Sequence, residues 1–244
     1  MELCKKKEKN LTPLERILAH YGDAWVWLGF DPVSKVVPAL VVGKRTKANA
    51  YKLVEKIYRV TDGVIPLFTS DELRHYRDAL LRVYGLREEV PKGQRKRGRP
   101  RKPKLRPPPE LRYAQVVKHR RKGRVASITT KVIFGKEQEV NELLQASPVS
   151  NSVNISFVER NNLTLRQQSR RLGRKTNGFS KDIGRLEAQL HLALGYYHFV
   201  KEHFGLRRES TDNRKKWFQR TPAMAACITD HIWSTRELLM YRVP

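Results

Sequence analysis

Cysteine is nearly absent from this chain: Cys4 and Cys227 are the two among 244 residues. A disulfide framework and a cysteine-built zinc finger are thereby excluded, and a reducing compartment is the natural reading. No run approaches the roughly 20 apolar residues of a membrane span. The opening MELCKKKEKN also lacks the apolar stretch of a secretory signal. The expectation is a soluble, intracellular protein with no membrane partner. Acidic residues are scarce as well: 24 Asp and Glu stand against 50 Lys and Arg, for a formal net charge of +26. Such an excess repels itself in a compact chain unless a polyanion relieves it. Nucleic acid is the obvious polyanion, because neutralising phosphates releases condensed counterions. A basic ribosomal or chromatin protein has the same composition, so charge alone leaves DNA and RNA both open.

Hydrophobic residues make up 39% of the chain, enough for a modest core. The length suits one large or two small domains, at roughly 100–200 residues each. Residues 1–22 are polar, with a short helix opening at Thr12-Pro13. The apolar runs Ala24–Phe30 and Val36–Val42, joined by Asp31-Pro32-Val33-Ser34-Lys35, predict an antiparallel hairpin. Lys47–Val60 switches to helical spacing through Ala50, Leu53, Val54 and Ile57. A strand over Val64–Phe68 leads into Thr69-Ser70-Asp71, and then a helix with the stripe Leu73, Tyr76, Leu80 and Val83. Pro91–Pro109 is rich in Lys, Arg and Pro; it buries too little to offset its ordering entropy, so residues 86–112 read as a flexible basic insertion. Tyr113–His119 and Arg124–Phe134 predict a second hairpin across Arg120-Arg121-Lys122-Gly123, followed by a helix over Glu137–Ala146 and a loop over Pro148–Asn154. The last third reads as helical. One helix runs from Ser156 to about Leu172, with Ser156 and Glu159 spaced as a capping box. A longer one opens at Ser180-Lys181 and carries Ile183, Leu186, Leu190, Leu194, Tyr197 and Phe204 on one face. Pro222–Tyr241 reads as a final helix or helix pair.

Two carboxylates stand out. Asp71 follows a short apolar strand where a helix begins, a place that holds a side chain rigidly at the solvent boundary and also the ordinary place for a helix N-cap. Glu159 shares one side of its helix with Asn162, Leu163, Arg166 and Arg170, amid Arg160, Arg171, Arg174 and Lys175. A lone carboxylate on such a helix either caps it or balances its charge. It also suits a DNA-cleaving site, with the carboxylate on a metal and the guanidiniums on flanking phosphates.

The string Phe157-Val158-Glu159-Arg160-Asn161-Asn162-Leu163-Thr164-Leu165-Arg166-Gln167, with Arg171-Leu172-Gly173-Arg174-Lys175-Thr176 and Gly178-Phe179-Ser180-Lys181, resembles bacterial and archaeal insertion-sequence transposases of the IS-one type. Asp31-Pro32-Val33-Ser34-Lys35, Gly43-Lys44-Arg45-Thr46, Phe68-Thr69-Ser70-Asp71 and Arg220-Thr221-Pro222-Ala223-Met224-Ala225-Ala226 agree in order, so the resemblance spans nearly the whole chain. It implies an Asp-Asp-Glu transposase: an α/β, RNase H-like mixed sheet flanked by helices, with a helical C-terminal part. It also implies Asp71 and Glu159 as catalytic, metal-binding residues for Mg2+ or Mn2+. The implied activity is cleavage of DNA phosphodiesters and transfer of 3′ ends. The partner would be double-stranded DNA, both transposon ends and target, held by a homo-oligomer in a prokaryotic cytoplasm and at the nucleoid. The implied division is an N-terminal segment over 1–22, a catalytic domain in two parts over 23–85 and 113–205, the insertion over 86–112, and a tail over 206–244.

One departure matters. The RNase H-like order places three antiparallel strands before the first helix, and the first catalytic Asp lies on the first of them. Only two strands precede the helix at Lys47. If Glu2 matches the second member of the family's Asp-Glu pair, Met1 stands where the Asp belongs. The expectations are a reading frame annotated short, a frame joined to an upstream one, or an inactive remnant that still binds DNA. Asp23 and Asp31 are possible substitutes, although Asp31 before Pro32 reads as a turn residue.

Within the insertion, Arg97-Gly98-Arg99-Pro100 resembles an AT-hook, in which an extended Arg-Gly-Arg lies in a narrow A·T-rich minor groove. A solvated linker touching phosphates without preference explains the same residues. Trp25, Trp27, Tyr196, Tyr197 and Trp233 fall at core spacing and read as buried rather than base-stacking. His191, His198 and His203 are spaced too widely for a compact metal site; His198 and His203 read as surface or DNA-facing residues.

Overall fold

The computed structural model describes residues 11–17, 23–88, 104–173, 178, 180, 182–210 and 216–242. In chain order the elements are α1 (Pro13–Ile17), β1 (Trp25–Gly29), β2 (Ala39–Gly43), α2 (Lys47–Val60), β3 (Phe68–Asp71) and α3 (His75–Tyr84). Then come β4 (Leu86–Arg87), β5 (Leu105–Arg106), β6 (Tyr113–Arg121), β7 (Arg124–Phe134) and α4 (Glu137–Gln145). The last part holds α5 (Ser156–Gln168), α6 (Ile183–Gly195), β8 (Arg208–Glu209), β9 (Trp217–Phe218), α7 (Pro222–Ala225) and α8 (Thr235–Met240). The architecture is mixed α/β. It divides into two compact units, Met1–Arg45 with Ser156–Pro244, and Thr46–Ile155.

In the first unit, β1 and β2 pair antiparallel with Trp25 opposite Gly43 and Gly29 opposite Ala39. The expected hairpin is therefore present, and its turn is built as Asp31 before Pro32 suggested. The Asp31 carboxylate accepts the Val33 amide at 3.0 Å and the Ser34 amide at 2.9 Å, and also the Ser34 hydroxyl. Lys35 closes the turn in the left-handed region, at φ 64°. Val37 and Leu40 enter a core with Leu165 of α5 and with Leu186, Leu190 and Leu194 of α6, and Val26, Leu28 and Val42 pack against it. Burying each such Leu is worth roughly 1.5–3 kcal/mol, so apolar packing dominates this unit.

The α6 stripe is the one that its spacing predicts, but its two ends differ from expectation. Asp182, not Ser180 or Lys181, is the N-cap, its carboxylate accepting the Arg185 amide at 2.7 Å. Ser180 is instead buried, its hydroxyl donating to the Asp182 carbonyl at 2.9 Å. At the far end the helix widens into a π-turn over Tyr196–Val200. That turn brings two consecutive side chains to the hairpin: the Tyr197 hydroxyl donates to the Lys35 carbonyl at 3.1 Å, and His198 Nε2 accepts the Val37 amide at 3.0 Å. Beyond it the chain leaves the helix, and Phe204 is 69% exposed with the Arg207 guanidinium 3.9 Å from its ring centre. His198 is accordingly no surface residue: burial holds its imidazole down to about 4. His203 packs edge-on to Tyr197 at 6.2 Å, and burial, with the Lys35 charge behind it, lowers its imidazole too. Trp27 and Tyr197 are buried as expected, whereas Tyr196 is exposed. The tail resolves into the short pair α7 and α8, capped by Thr221 and by a Ser234–Glu237 capping box.

In the second unit, α2 buries Ala50, Leu53, Val54 and Ile57, the predicted face, and Thr46 caps it. The sheet runs β3-β6-β7, with β3 parallel to β6 and β6 antiparallel to β7. Two parallel strands cannot be joined by a tight turn; here the described elements between them are α3, β4 and β5. Residues 104–112 correct the expected insertion. β4 and β5 pair antiparallel, Leu86 opposite Arg106, and Leu111 is fully buried. Backbone pairing and one apolar anchor thus hold the described edges of a segment whose composition alone reads as unfolded; Arg97, Gly98, Arg99 and Pro100 lie outside the described residues. The β6–β7 connection is a two-residue turn with both central residues at positive φ, Lys122 at 50° and Gly123 at 78°, the I′ geometry that matches strand twist. Tyr113–Val116 are buried, but His119–Arg121 and Arg124–Lys131 are exposed.

Candidate functional site

Asp71 is the last residue of β3, opposite Val116 of β6, and exposed. It does not cap α3, because that helix starts at His75 behind Arg74. Its carboxylate accepts the Leu73 amide at 3.3 Å, which turns the chain sharply out of the sheet. Beneath it runs a polar chain that sequence reasoning missed. The Gln115 amide donates to the Tyr113 hydroxyl at 2.8 Å, that hydroxyl lies 2.7 Å from Ser70 Oγ, and the Ser70 hydroxyl donates to the Asp71 carbonyl at 2.7 Å. Each hydroxyl has a single proton, so the direction is fixed from Gln115 to Tyr113 to Ser70 to Asp71. Burial raises the Tyr113 phenol, the Asp71 charge adds to the rise, and the two hydrogen bonds moderate it. A protonated phenol is what the relay needs. The parallel register that sets Ser70 opposite Gln115 is the part that the sequence did not signal.

Glu159 lies in the first turn of α5, and is exposed. The helix buries Asn161 and Leu165, which leaves Glu159, Arg160 and Leu163 at the surface and Asn162 and Arg166 half-buried. Glu159, Asn162, Leu163 and Arg166 share the side that helical spacing gave them. Arg170 does not, because the helix ends at Gln168 instead of running to about Leu172, and Ser169 breaks it in extended backbone. The hairpin turn anchors the start of this helix: Lys35 Nζ sits 4.8 Å from the centre of the Phe157 ring. Burial lowers the Lys35 ammonium, and the Asp31 charge opposes that shift. Arg171 is committed inward, its guanidinium donating to Ser180 Oγ at 3.3 Å. Arg170 and Arg171 stand on a short 3₁₀ turn, Arg170–Leu172. Arg174 and Lys175 lie outside the described residues.

Asp71 belongs to the unit Thr46–Ile155 and Glu159 to the other. Each is an exposed oxygen donor, the ligand type that magnesium and manganese prefer. Among the described residues no three Asp, Glu, His or Cys side chains gather as a metal site. Asp31, the substitute considered for a third ligand, is occupied by its turn. Among the described residues no helix is long and apolar enough to cross a membrane. Comparison of the chain with protein-family models, with curated proteins and with solved structures gives no match.

Proposed function

We propose that the chain is the catalytic part of an insertion-sequence DNA transposase of the Asp-Asp-Glu kind, with an RNase H-like fold. The observation that carries the reading is Glu159, exposed in the first turn of α5 with Arg160 beside it and Arg166 two turns on along the same side, within the string that resembles such transposases. Asp71 supports it from a strand end, on a strand parallel to its neighbour.

In this reading Asp71 and Glu159 hold divalent ions. Those ions, when bound, supply activation of water or a 3′-hydroxyl and stabilisation of the leaving 3′-oxygen. The Gln115–Tyr113–Ser70 relay keeps the Asp71 backbone in place, and Arg160 and Arg166 bind phosphates beside Glu159. Such a site takes a third carboxylate beside these two. The test is magnesium-dependent nicking and strand transfer by a chain extended upstream with an Asp-bearing strand. Asp71→Asn and Glu159→Gln should each abolish it; activity surviving Glu159→Gln would sink the assignment. Duplex binding without any cleavage by the extended chain would make it a DNA-binding remnant.

A further inference from the structure

We propose that the outer half of the β6–β7 hairpin is a duplex-DNA-binding arm that enters the major groove, a contact surface that starts two residues beyond Val116, the β6 residue opposite Asp71. The claim takes its choice of polyanion from the transposase reading and its location from the structure. Lys118, Arg120, Arg121, Lys122 and Arg124 crowd one hairpin end, and no Asp or Glu occurs from Leu111 to Lys136. Glu139, beyond the hairpin's root, is paired with Arg112 at 3.2 Å, and Asp71 stands at the end of β3 opposite Val116, where the buried part of β6 ends.

Geometry sets this charge apart from a solvated face. β7 is exposed from Arg124 through Lys131, so the ribbon has no protein cover on those positions of either face. The register puts Arg121 directly opposite Arg124, Arg120 opposite Val125, and Lys118 opposite Ile128. Two arginines in one cross-strand pair repel each other; lysines that merely guard a sheet edge would not require such a pair. A polyanion relieves it. One face combines Arg120 with Val125 and Ile128, the latter 60% exposed. The other presents Arg121, Arg124 and His119, whose ring nitrogen lies 2.9 Å from Thr129 Oγ1. At roughly 3.4 Å per residue, the four residues from Lys118 to Arg121 project about 10–14 Å. A B-DNA major groove about 12 Å wide admits a two-stranded ribbon, with arginines reaching phosphates on both walls and the aliphatic side chains facing base edges. The I′ turn keeps the tip narrow.

The experiment is fluorescence-anisotropy titration of a labelled 30-base-pair duplex across a salt series, without divalent metal, on the full chain. Arg120→Gln/Arg121→Gln/Arg124→Gln should weaken binding on the order of tenfold to a hundredfold and lower the salt slope by about 3, at roughly 0.9 per phosphate contact. The matched variant Lys52→Gln/Arg77→Gln/Arg87→Gln, which removes the same charge from exposed positions elsewhere in that unit, should lower the slope by less than 1. The triple Arg→Lys variant should restore the slope, which a merely structural role would not do. Equal losses in the two Gln triples would overturn the arm. So would an equal loss on duplex RNA, whose major groove is too narrow for a ribbon, or lost self-association in sedimentation with unchanged duplex affinity. Arm-dependent binding with no cleavage by the upstream-extended chain would sink the transposase reading and leave the arm standing. Cleavage with arm-independent binding would do the reverse.

Discussion

β1–β2 and β6–β7 are both antiparallel hairpins, yet the first gives its side chains to a core, whereas the second leaves its core after Val116. Val37, Leu40 and Val42 in the first are apolar because α5 and α6 cover them. Lys118, Arg120 and Arg124 in the second are charged, and no layer of protein covers Arg120 or Arg124. Strand geometry is shared, so the difference lies in what each hairpin is built to meet: protein in one case, and by our proposal a polyanion in the other.

That contrast can be broken in stages. Leu190→Ala, beneath the first hairpin and fully buried, should cost about 3–4 kcal/mol in urea unfolding, because transfer and cavity terms add. Acid should act next. His198 is held neutral at about 4 against an ordinary value of 6.5, so the unfolded chain binds the extra proton first. Its contribution is complete above pH 6.5 and is lost as pH falls towards 4, by roughly 2–3 kcal/mol. A protonated imidazole can no longer accept the Val37 amide, so His198→Gln should flatten unfolding free energy over that window. Gly123→Ala should cost about 1 kcal/mol from its positive φ alone, since the added methyl would meet nothing within 4 Å. Smallest of all, Ile128→Ala on the arm should change stability by less than about 0.5 kcal/mol. A cost near that of Leu190→Ala would mean that the arm is covered by protein after all.

The sequence made both hairpins and the faces of α2 and α6 legible, because period-2 and period-3.6 patterns survive wherever one side is buried. It grouped Glu159 with Asn162, Leu163 and Arg166 on one side of α5 for the same reason, and carried that helix too far in including Arg170. Asp71 was found, but its local role was not: it was read between strand and helix cap, and it is a strand end with its own turn. The Gln115–Tyr113–Ser70 relay depends on a parallel register between strands some 40 residues apart, and no local pattern encodes that. His198 and His203 were misjudged because a polar ring beyond a helical stripe looks exposed until the helix changes pitch. The edges of the basic segment were misjudged because composition reports burial and is silent about backbone pairing, as at Leu86 and Arg106.

The π-turn at Tyr196–Val200 carries one more consequence, for length. An α-helix advances about 100° per residue, and a π-turn takes up one residue beyond that count. It is therefore a phase slip in the helix, and the slip lets neighbours in sequence, Tyr197 and His198, reach the same hairpin. Gain and loss of a residue are unequal there. Deleting one residue between Tyr196 and Val200 would return the segment to regular pitch and take one of the two side chains off the hairpin. Adding one would ask for a second slip with nothing to receive it. Relatives of this chain should thus tolerate a shortened turn more readily than a lengthened one.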